Sequence, residues 1–331
     1  MRSIRSYARS RADLLAGRSN ARFVLAVHGG AGTMPRSEMT AERERAYREG
    51  LGAALRAGYA ILEEGGSSLD AVIAAVVALE DAPLFNAGHG AMLNADGQHE
   101  LDAAVMDGAT LRAGGVAAVR RIRNPIVAAR AVMEKTPHVL LTGRAAERFA
   151  QRAGVPLAPL AYFTTPERVA ALERARERER KHLRTRASAA DLHGTVGAVA
   201  LDRHGHLAAA TSTGGYTNKM AGRIGDSPLV GAGLYADGTC AVSTTGLGEA
   251  FIRGVVAYDV AARMRYRAEA LGRAARNALD RIVALGAEGG LIAVDRAGRV
   301  AMPFVSEGMY RGLARGGRYS AAIYRGALQS I

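Results

Sequence analysis

Gly194 and Thr195 pair a small residue with a hydroxyl residue, at the entrance to the apolar run 196–201 and just downstream of a long charged tract. Scission between them would leave Thr195 with a free α-amine and a hydroxyl on adjacent carbons. One residue would then supply both base and nucleophile, because an amine with an ordinary pKa of about 7.7–8.0 can take the hydroxyl proton near neutral pH. A plainer reading is a threonine that begins a strand, where its β-branch is at home. Residues 211–248 add the groups such chemistry needs. Thr211-Ser212-Thr213-Gly214-Gly215 gathers hydroxyls and flexible backbone at a strand end. Arg223 and Asp226, in Gly222-Arg223-Ile224-Gly225-Asp226-Ser227-Pro228, offer a cation and an anion between glycines, the complement of a free amino acid head group. An internal Arg223–Asp226 ion pair is the alternative. Thr244-Thr245-Gly246-Leu247-Gly248-Glu249 places hydroxyls and bare amides at an expected helix start, where unpaired N–H groups can hold an oxyanion or merely cap the helix.

Other chemistries fit poorly. His28-Gly29-Gly30-Ala31-Gly32-Thr33 follows a strand, but it matches neither G-x-G-x-x-G nor a P-loop, so it reads as a glycine turn near a pocket. There is no G-x-S-x-G elbow and no H-E-x-x-H pair, and His204 and His206 fall in a hairpin turn. A single cysteine, Cys240, excludes an internal disulfide and reads as a small apolar strand residue. The net charge of +13 is concentrated in residues 1–22, 167–186 and 311–325, which account for the whole excess. No recognition helix or aromatic stacking motif accompanies it, so no nucleic-acid role is expected. Apolar stretches stop short of the roughly 20 residues needed to span a bilayer, and residues 1–22 lack the apolar centre of a secretory signal. No membrane association is expected, and the cytoplasm is the expected location.

The elements that must position these groups follow from periodicity. Phe23–Val27 reads as a buried strand, residues 41–64 as a helix, and Ser68 as the cap of a second helix to Leu79. Strands are expected over 99–107 and 115–121, helices over 125–135 and 143–153, and a break follows. Residues 158–193, of mixed charge and little apolar pattern, read as an exposed connector, and within them Glu173–Lys181 reads as a solvated helix or a flexible tether. Strands 196–201 and 207–213 form a hairpin about Asp202–His206, residues 240–245 form another strand, and 248–285 form two helices. Runs 291–295, 300–305 and 319–324 close the chain. This order implies an α/β fold of two sheets with helices on their outer faces.

Ordered blocks carry a family resemblance: HGGAGT (28–33), LFNAGHGA (84–91), HELDAAVMDG (99–108), HGTVGAVALD (193–202), TSTGG (211–215), TNKMAGRIGDSPLVGAGLYA (217–236), STTGLGEAFIR (243–253) and GLIAVD…SEGMYR (290–311). Over about 23–325 the chain resembles the plant-type, type 2 L-asparaginase/isoaspartyl peptidase family of N-terminal nucleophile hydrolases. The resemblance implies a four-layer αββα sandwich made as a precursor that cuts itself between Gly194 and Thr195. It implies an α subunit ending at 194, preceded by the basic extension 1–22, a β subunit 195–331, and a dimer of αβ heterodimers forming one folded unit. Thr195 matches the nucleophile and Thr213 a supporting threonine. Thr245 and Gly246 match the oxyanion hole, and Asn86 an asparagine that orients the nucleophile. Arg223 matches the grip on the substrate α-carboxylate, Asp226 the partner of its α-amino group, and Gly248 a backbone lining of the pocket. Backbone carbonyls of Leu79, Glu80, Ala82, Phe85, Ala87 and His89 match a structural sodium site, with the His89 side chain expected to crowd it. No cofactor for catalysis is implied. The expected substrates are L-asparagine and β-aspartyl dipeptides. A glycosylasparaginase-like hydrolase is one alternative, although there an Asp precedes the threonine and here Gly194 does; an uncut, silent homologue acting as a basic binding module is the other.

Overall fold

The computed structural model describes residues 23–32, 35–181 and 194–331; the extension 1–22 and the connector's last stretch, 182–193, lie outside the described residues. Thirteen strands are described: β1 (Val24–Gly32), β2 (Leu101–Asp107), β3 (Ala113–Val119), β4 (Leu140–Thr142), β5 (Val196–Leu201), β6 (Leu207–Thr213), β7 (Leu234–Ala236), β8 (Cys240–Gly246), β9 (Gly289–Asp295), β10 (Val300–Ala301), β11 (Gly308–Arg315), β12 (Arg318–Ala322) and β13 (Gln329–Ser330). The helices described are α1 (Ala41–Glu63), α2 (Ser68–Asp81), α3 (Pro125–Lys135), α4 (Gly143–Arg152), α5 (Pro166–Arg180), α6 (Gly248–Gly254), α7 (Val256–Arg267) and α8 (Leu271–Ala284). Nine strands make one sheet, in the order β13-β12-β11-β1-β5-β6-β2-β3-β4, and four make another, β10-β9-β8-β7. No described helix is long and apolar enough to cross a membrane.

Strand periodicity explains how both faces of the large sheet are covered. Successive side chains point to opposite faces, and here both faces are apolar. Leu25 and Val27 of β1 pack with Leu51, Leu55, Val72 and Val76 of α1 and α2. Their neighbours Val24 and Ala26 pack instead with Val199 and Leu201 of β5 and with Ile292 and Val294 of the second sheet. The second sheet's other face, through Val242 and Leu291, meets Val260 of α7 and Leu279 of α8. An antiparallel strand usually alternates apolar with polar because one face is wet; β1, β5 and β6 do not, because neither face is. Each fully buried Val or Leu contributes about 1.5–3 kcal/mol by leaving water.

Helix starts follow ordinary capping. Thr40 Oγ1 accepts from the Arg43 amide at 3.2 Å, ahead of Glu42 and Glu44 in the first turn of α1. Ser67, not Ser68, caps α2, accepting from the Asp70 amide at 3.1 Å.

Further expectations need correction. Residues 248–285 form three helices, α6, α7 and α8, rather than two, because Val255 takes a left-handed conformation with φ of 48° between α6 and α7. The stretch 158–181 is not simply an exposed connector: a 3₁₀ turn at Leu160–Phe163 buries Phe163, and α5 follows, capped by Thr165. Glu173–Lys181 lacks an apolar face, so it fits a solvated helix or a tether in sequence, and what anchors α5 is a buried arginine, Arg168. The run 300–305 is a strand only at Val300–Ala301. Finally, β11 was missed; it pairs with β1 on one side and with β12 on the other, through a hairpin at Gly316 and Gly317, whose φ values of 57° and 71° suit the turn.

Candidate active site

Sheet register brings the hydroxyls together. Thr195 immediately precedes β5, Val196 pairs with Ser212 of β6, and Thr213 ends β6, so Thr195 and Thr213 sit side by side at one end of the large sheet. Thr245, near the end of β8, reaches them from the second sheet. Its Oγ1 accepts from the Thr195 amide at 3.3 Å and from the Ala31 amide at 3.1 Å. A bulge in β1 between His28 and Gly30 turns the backbone toward this meeting point. Gly30 has φ of 114°, and a Cβ there would stand 2.8 Å from Gly194 Cα, so only glycine lets the two backbones touch.

Around the candidate link, Thr213 Oγ1 donates to the Gly194 carbonyl at 3.4 Å and accepts from the Gly215 amide at 3.0 Å. Thr195 Oγ1 lies 3.2 Å from Ser227 Oγ, a partner that sequence reasoning missed although it follows Asp226 directly. Asn86 acts at one remove: its Nδ2 donates to Gly215 O at 2.6 Å, and its Oδ1 accepts from the Met92 amide at 2.8 Å. It fixes the turn that carries Thr213 rather than bonding Thr195. Gly246 lines the same small cavity as Gly194 and Thr195, whose volume of about 10 Å³ is about that of one water probe. With residues 194 and 195 joined, no amino acid fits there.

In the charged half of the site, the internal ion pair weighed as the alternative does not form. Arg223 does not pair with Asp226; its Nε and Nη2 each donate at 2.8 Å to the Glu249 carboxylate, while Tyr216 stacks against the guanidinium at 4.7 Å. Asp226 Oδ2 accepts from Thr244 Oγ1 at 2.8 Å, and burial pushes its carboxyl up to about 6, against the pull of that hydrogen bond and of Arg223. Gly248 keeps the space between them open, since a Cβ there would stand 2.7 Å from Arg223 Nη2 and 3.0 Å from Asp226 Oδ1. Behind the clamp, Lys219 is fully buried, donating to Glu100 O at 3.1 Å, and the Glu100 carboxylate accepts from the Gly222 amide at 2.9 Å. Burial lowers the Lys219 pKa, opposed by Asp102 and Glu100. Beneath the hydroxyls, His28 Nε2 lies 2.8 Å from Ser243 Oγ, and burial drives its pKa down to about 3, which keeps it neutral. None of Lys219, Glu249 or His28 advertised these roles in the sequence.

The loop after α2 brings backbone carbonyls close together, and those of Ala82 and Ala87 accept from the Phe85 and Gly90 amides. Leu79 and Glu80 lie in the last turn of α2, where carbonyls lose their helical partners. Beyond them, Ala82, Phe85, Ala87 and His89 run into a 3₁₀ turn at Gly88–Gly90. A Cβ on Gly88 would come within 2.4 Å of Glu80 O, and one on Gly90 within 2.2 Å of Phe85 O, so carbonyl oxygens crowd a space that only glycine leaves free. Oxygen donors of this kind suit a hard cation. The His89 ring stacks on Tyr162 at 4.7 Å, which accounts for its side chain without crowding the loop. Arg168 of α5 braces the loop from outside, donating to Gly90 O at 2.7 Å and Leu84 O at 3.3 Å. The buried Glu80 carboxyl accepts from the Ser212 hydroxyl at 2.6 Å and the Ile126 amide at 3.0 Å, tying the loop to β6 and to the start of α3.

Hydroxyls gathered about one peptide link, Thr213 on its carbonyl and Thr245 on its amide, beside a guanidinium and a carboxylate, suit acyl transfer on a small zwitterionic amide. The chain belongs to the asparaginase family, whose model matches residues 21–323. It is 52% identical over 293 residues to the isoaspartyl peptidase of Salmonella typhimurium, covering 87% of this chain and 94% of that protein. The isoaspartyl peptidase of Escherichia coli is also 52% identical, with 91% of it covered. The isoaspartyl peptidase/L-asparaginase of Mus musculus is 44% identical over 311 residues, covering 91% of this chain and 90% of that protein.

Proposed function

We propose that the chain is a self-cleaving amidohydrolase that releases aspartate from L-asparagine and from β-aspartyl dipeptides. The observation that carries it is the convergence of Thr195, Thr213 and Thr245 on the Gly194–Thr195 link, with Arg223 and Asp226 lining the same cavity. In maturation, Thr195 Oγ1 attacks the Gly194 carbonyl and the amide nitrogen leaves, giving an ester; water then hydrolyses it. The Gly194 carbonyl already accepts from Thr213, which positions that hydroxyl to stabilise the developing negative charge.

Scission frees the Thr195 amine, which takes the proton from its own hydroxyl. The oxygen attacks the side-chain amide carbon of asparagine, or the isopeptide carbon of a β-aspartyl dipeptide. Thr245 and the Gly246 amide receive the oxyanion, ammonia or an amino acid departs with the proton, and water releases aspartate. Arg223 binds the α-carboxylate in place of Glu249, and Asp226 binds the α-ammonium, so the reacting carbonyl is held in one orientation. Sodium held by the carbonyls of Leu79, Glu80, Ala82, Phe85, Ala87 and His89 would supply rigidity to the loop that presents Asn86.

On this reading the two sheets and their helices form a four-layer αββα sandwich, cut into an α subunit ending at 194 and a β subunit 195–331, paired as a dimer of heterodimers in the cytoplasm. The test is the intact mass of freshly purified and incubated protein. Wild type should resolve into 194- and 137-residue pieces with aspartate release, and Thr195→Ala should stay whole and lose at least about 10⁴-fold in turnover. A Thr195→Ala protein that still cuts itself overturns the assignment, and release from a glycosylated asparagine in preference to both substrates would favour glycosylasparaginase chemistry.

A further inference from the structure

A second cavity, of about 40 Å³, lies on the other side of Gly194 from the nucleophile's cavity. Among the described residues, Gly194 is the single wall the two share. Displacement of Gly194 after scission would remove their partition and join them into one cleft. One end of that cleft carries Arg223 and Asp226. The other is bounded by an aromatic wall, in which Tyr47 stacks on Tyr310 at 4.1 Å and meets Phe85 edge-on at 5.7 Å, together with Met39 and the guanidinium of Arg43.

We infer that this second cavity is the subsite for the departing amino acid of a β-aspartyl dipeptide, with Arg43 binding its α-carboxylate and the Tyr47–Tyr310 wall receiving its side chain. The inference rests on the reading above, since it takes the aspartyl half to be held by Arg223 and Asp226. A dipeptide clamped there must direct its leaving residue away from the clamp, across the position Gly194 vacates. The lining matches what such a residue carries. It is apolar and aromatic where a side chain would lie, and it holds two arginines. Arg168 is committed to the carbonyls of Gly90 and Leu84. Arg43 is held by Glu167 at 3.3 Å in a half-exposed pair, which a substrate carboxylate can replace. The acids of the cavity, Glu38 and Glu167, disfavour a second carboxylate anywhere but at a guanidinium. Asparagine releases ammonia and makes no use of this subsite.

The experiment compares kcat/KM for asparagine, β-aspartyl-leucine and β-aspartyl-leucinamide, which lacks the terminal carboxylate, in wild type, Arg43→Gln and Arg43→Lys. In Arg43→Gln the ratio of β-aspartyl-leucine to β-aspartyl-leucinamide should fall about tenfold, through KM, for the loss of one charge-assisted hydrogen bond. Arg43→Lys should recover part of it. An unchanged ratio, or equal losses on acid and amide, overturns the subsite even if the protein is an active asparaginase. Absence of turnover on all three substrates by cleaved wild type overturns the activity, and the subsite with it.

Discussion

The hydroxyl cluster and the charged clamp meet in one cavity but are built by opposite means. Thr213 and Thr245 are held by neutral hydrogen bonds to backbone groups, and the Thr195 hydroxyl by that of Ser227. Arg223, Asp226, Glu249 and Lys219 are held by charge, much of it desolvated, on the loop between β6 and β7 and at the start of α6. The first arrangement sets what bond breaks; its hydroxyls do not titrate, and its one pH-dependent group is the Thr195 amine that scission frees. The second sets which molecule is accepted, and its strength depends on ionisation because burial magnifies each charge.

Substitutions should separate the two regions. Thr213→Val, which removes the donor to Gly194 O, should slow self-cleavage by about 10²–10³-fold, the cost of losing one oxyanion donor; the rate of appearance of the two pieces measures it. Should cleavage keep its pace while substrate KM rises, the division of labour fails. Arg223→Lys keeps the charge but loses the planar fork, and should raise KM for asparagine by about 10–100-fold, with cleavage by mass unaltered.

Acidification should act on the clamp through KM and on the freed Thr195 amine through kcat. Asp226, raised to about 6, is charged above that pH and neutral below it. KM for asparagine should therefore climb about tenfold for each unit of pH below 6. The same shift has an opposite consequence for the fold: because the folded carboxyl binds a proton more tightly than the unfolded one, its contribution to stability declines as pH rises from the ordinary aspartate value to about 6. An Asp226→Asn protein should lose this acid dependence of KM. The smallest effect is expected from Glu249→Gln, which frees Arg223 from a half-exposed partner; KM should drop by about threefold, as suits an ion pair worth up to about 1 kcal/mol, and the acid midpoint should shift downward, since Glu249 helps to raise Asp226.

Legibility differed between the regions for the same reason. The strands Phe23–Val27, 196–201 and 207–213 could be read because continuous apolar runs have few alternatives. Helix α5 could be read only as one of two options, solvated helix or tether, since Glu173–Lys181 has no apolar face at helical spacing; it holds through Arg168 on Gly90 and Leu84, Arg176 on Ala95, and Glu179 with Asn218. Strand β11 looked too polar, with Arg311 and Arg315 in it, yet Arg311 is buried against the carbonyls of Met309, Tyr324 and Gly326. The motif residues Thr195, Thr213, Arg223, Asp226 and Thr245 were visible as types and spacings. That Ser227 faces the Thr195 hydroxyl, or that Glu249 occupies the Arg223 fork, was not.

Sequence alone determined the inventory: a hydroxyl residue after a glycine, a guanidinium and carboxylate among glycines, and apolar strands able to bury both faces. Those are local properties, set by side-chain chemistry and by the two-residue period of a strand. Only the tertiary structure decided which hydroxyl faces which atom, that Gly194 stands between two cavities, and that Arg223 waits on Glu249. Such relations join residues far apart in the chain, and they depend on register, on a bulge in β1 and on the loss of water around charges, none of which is encoded at any single position.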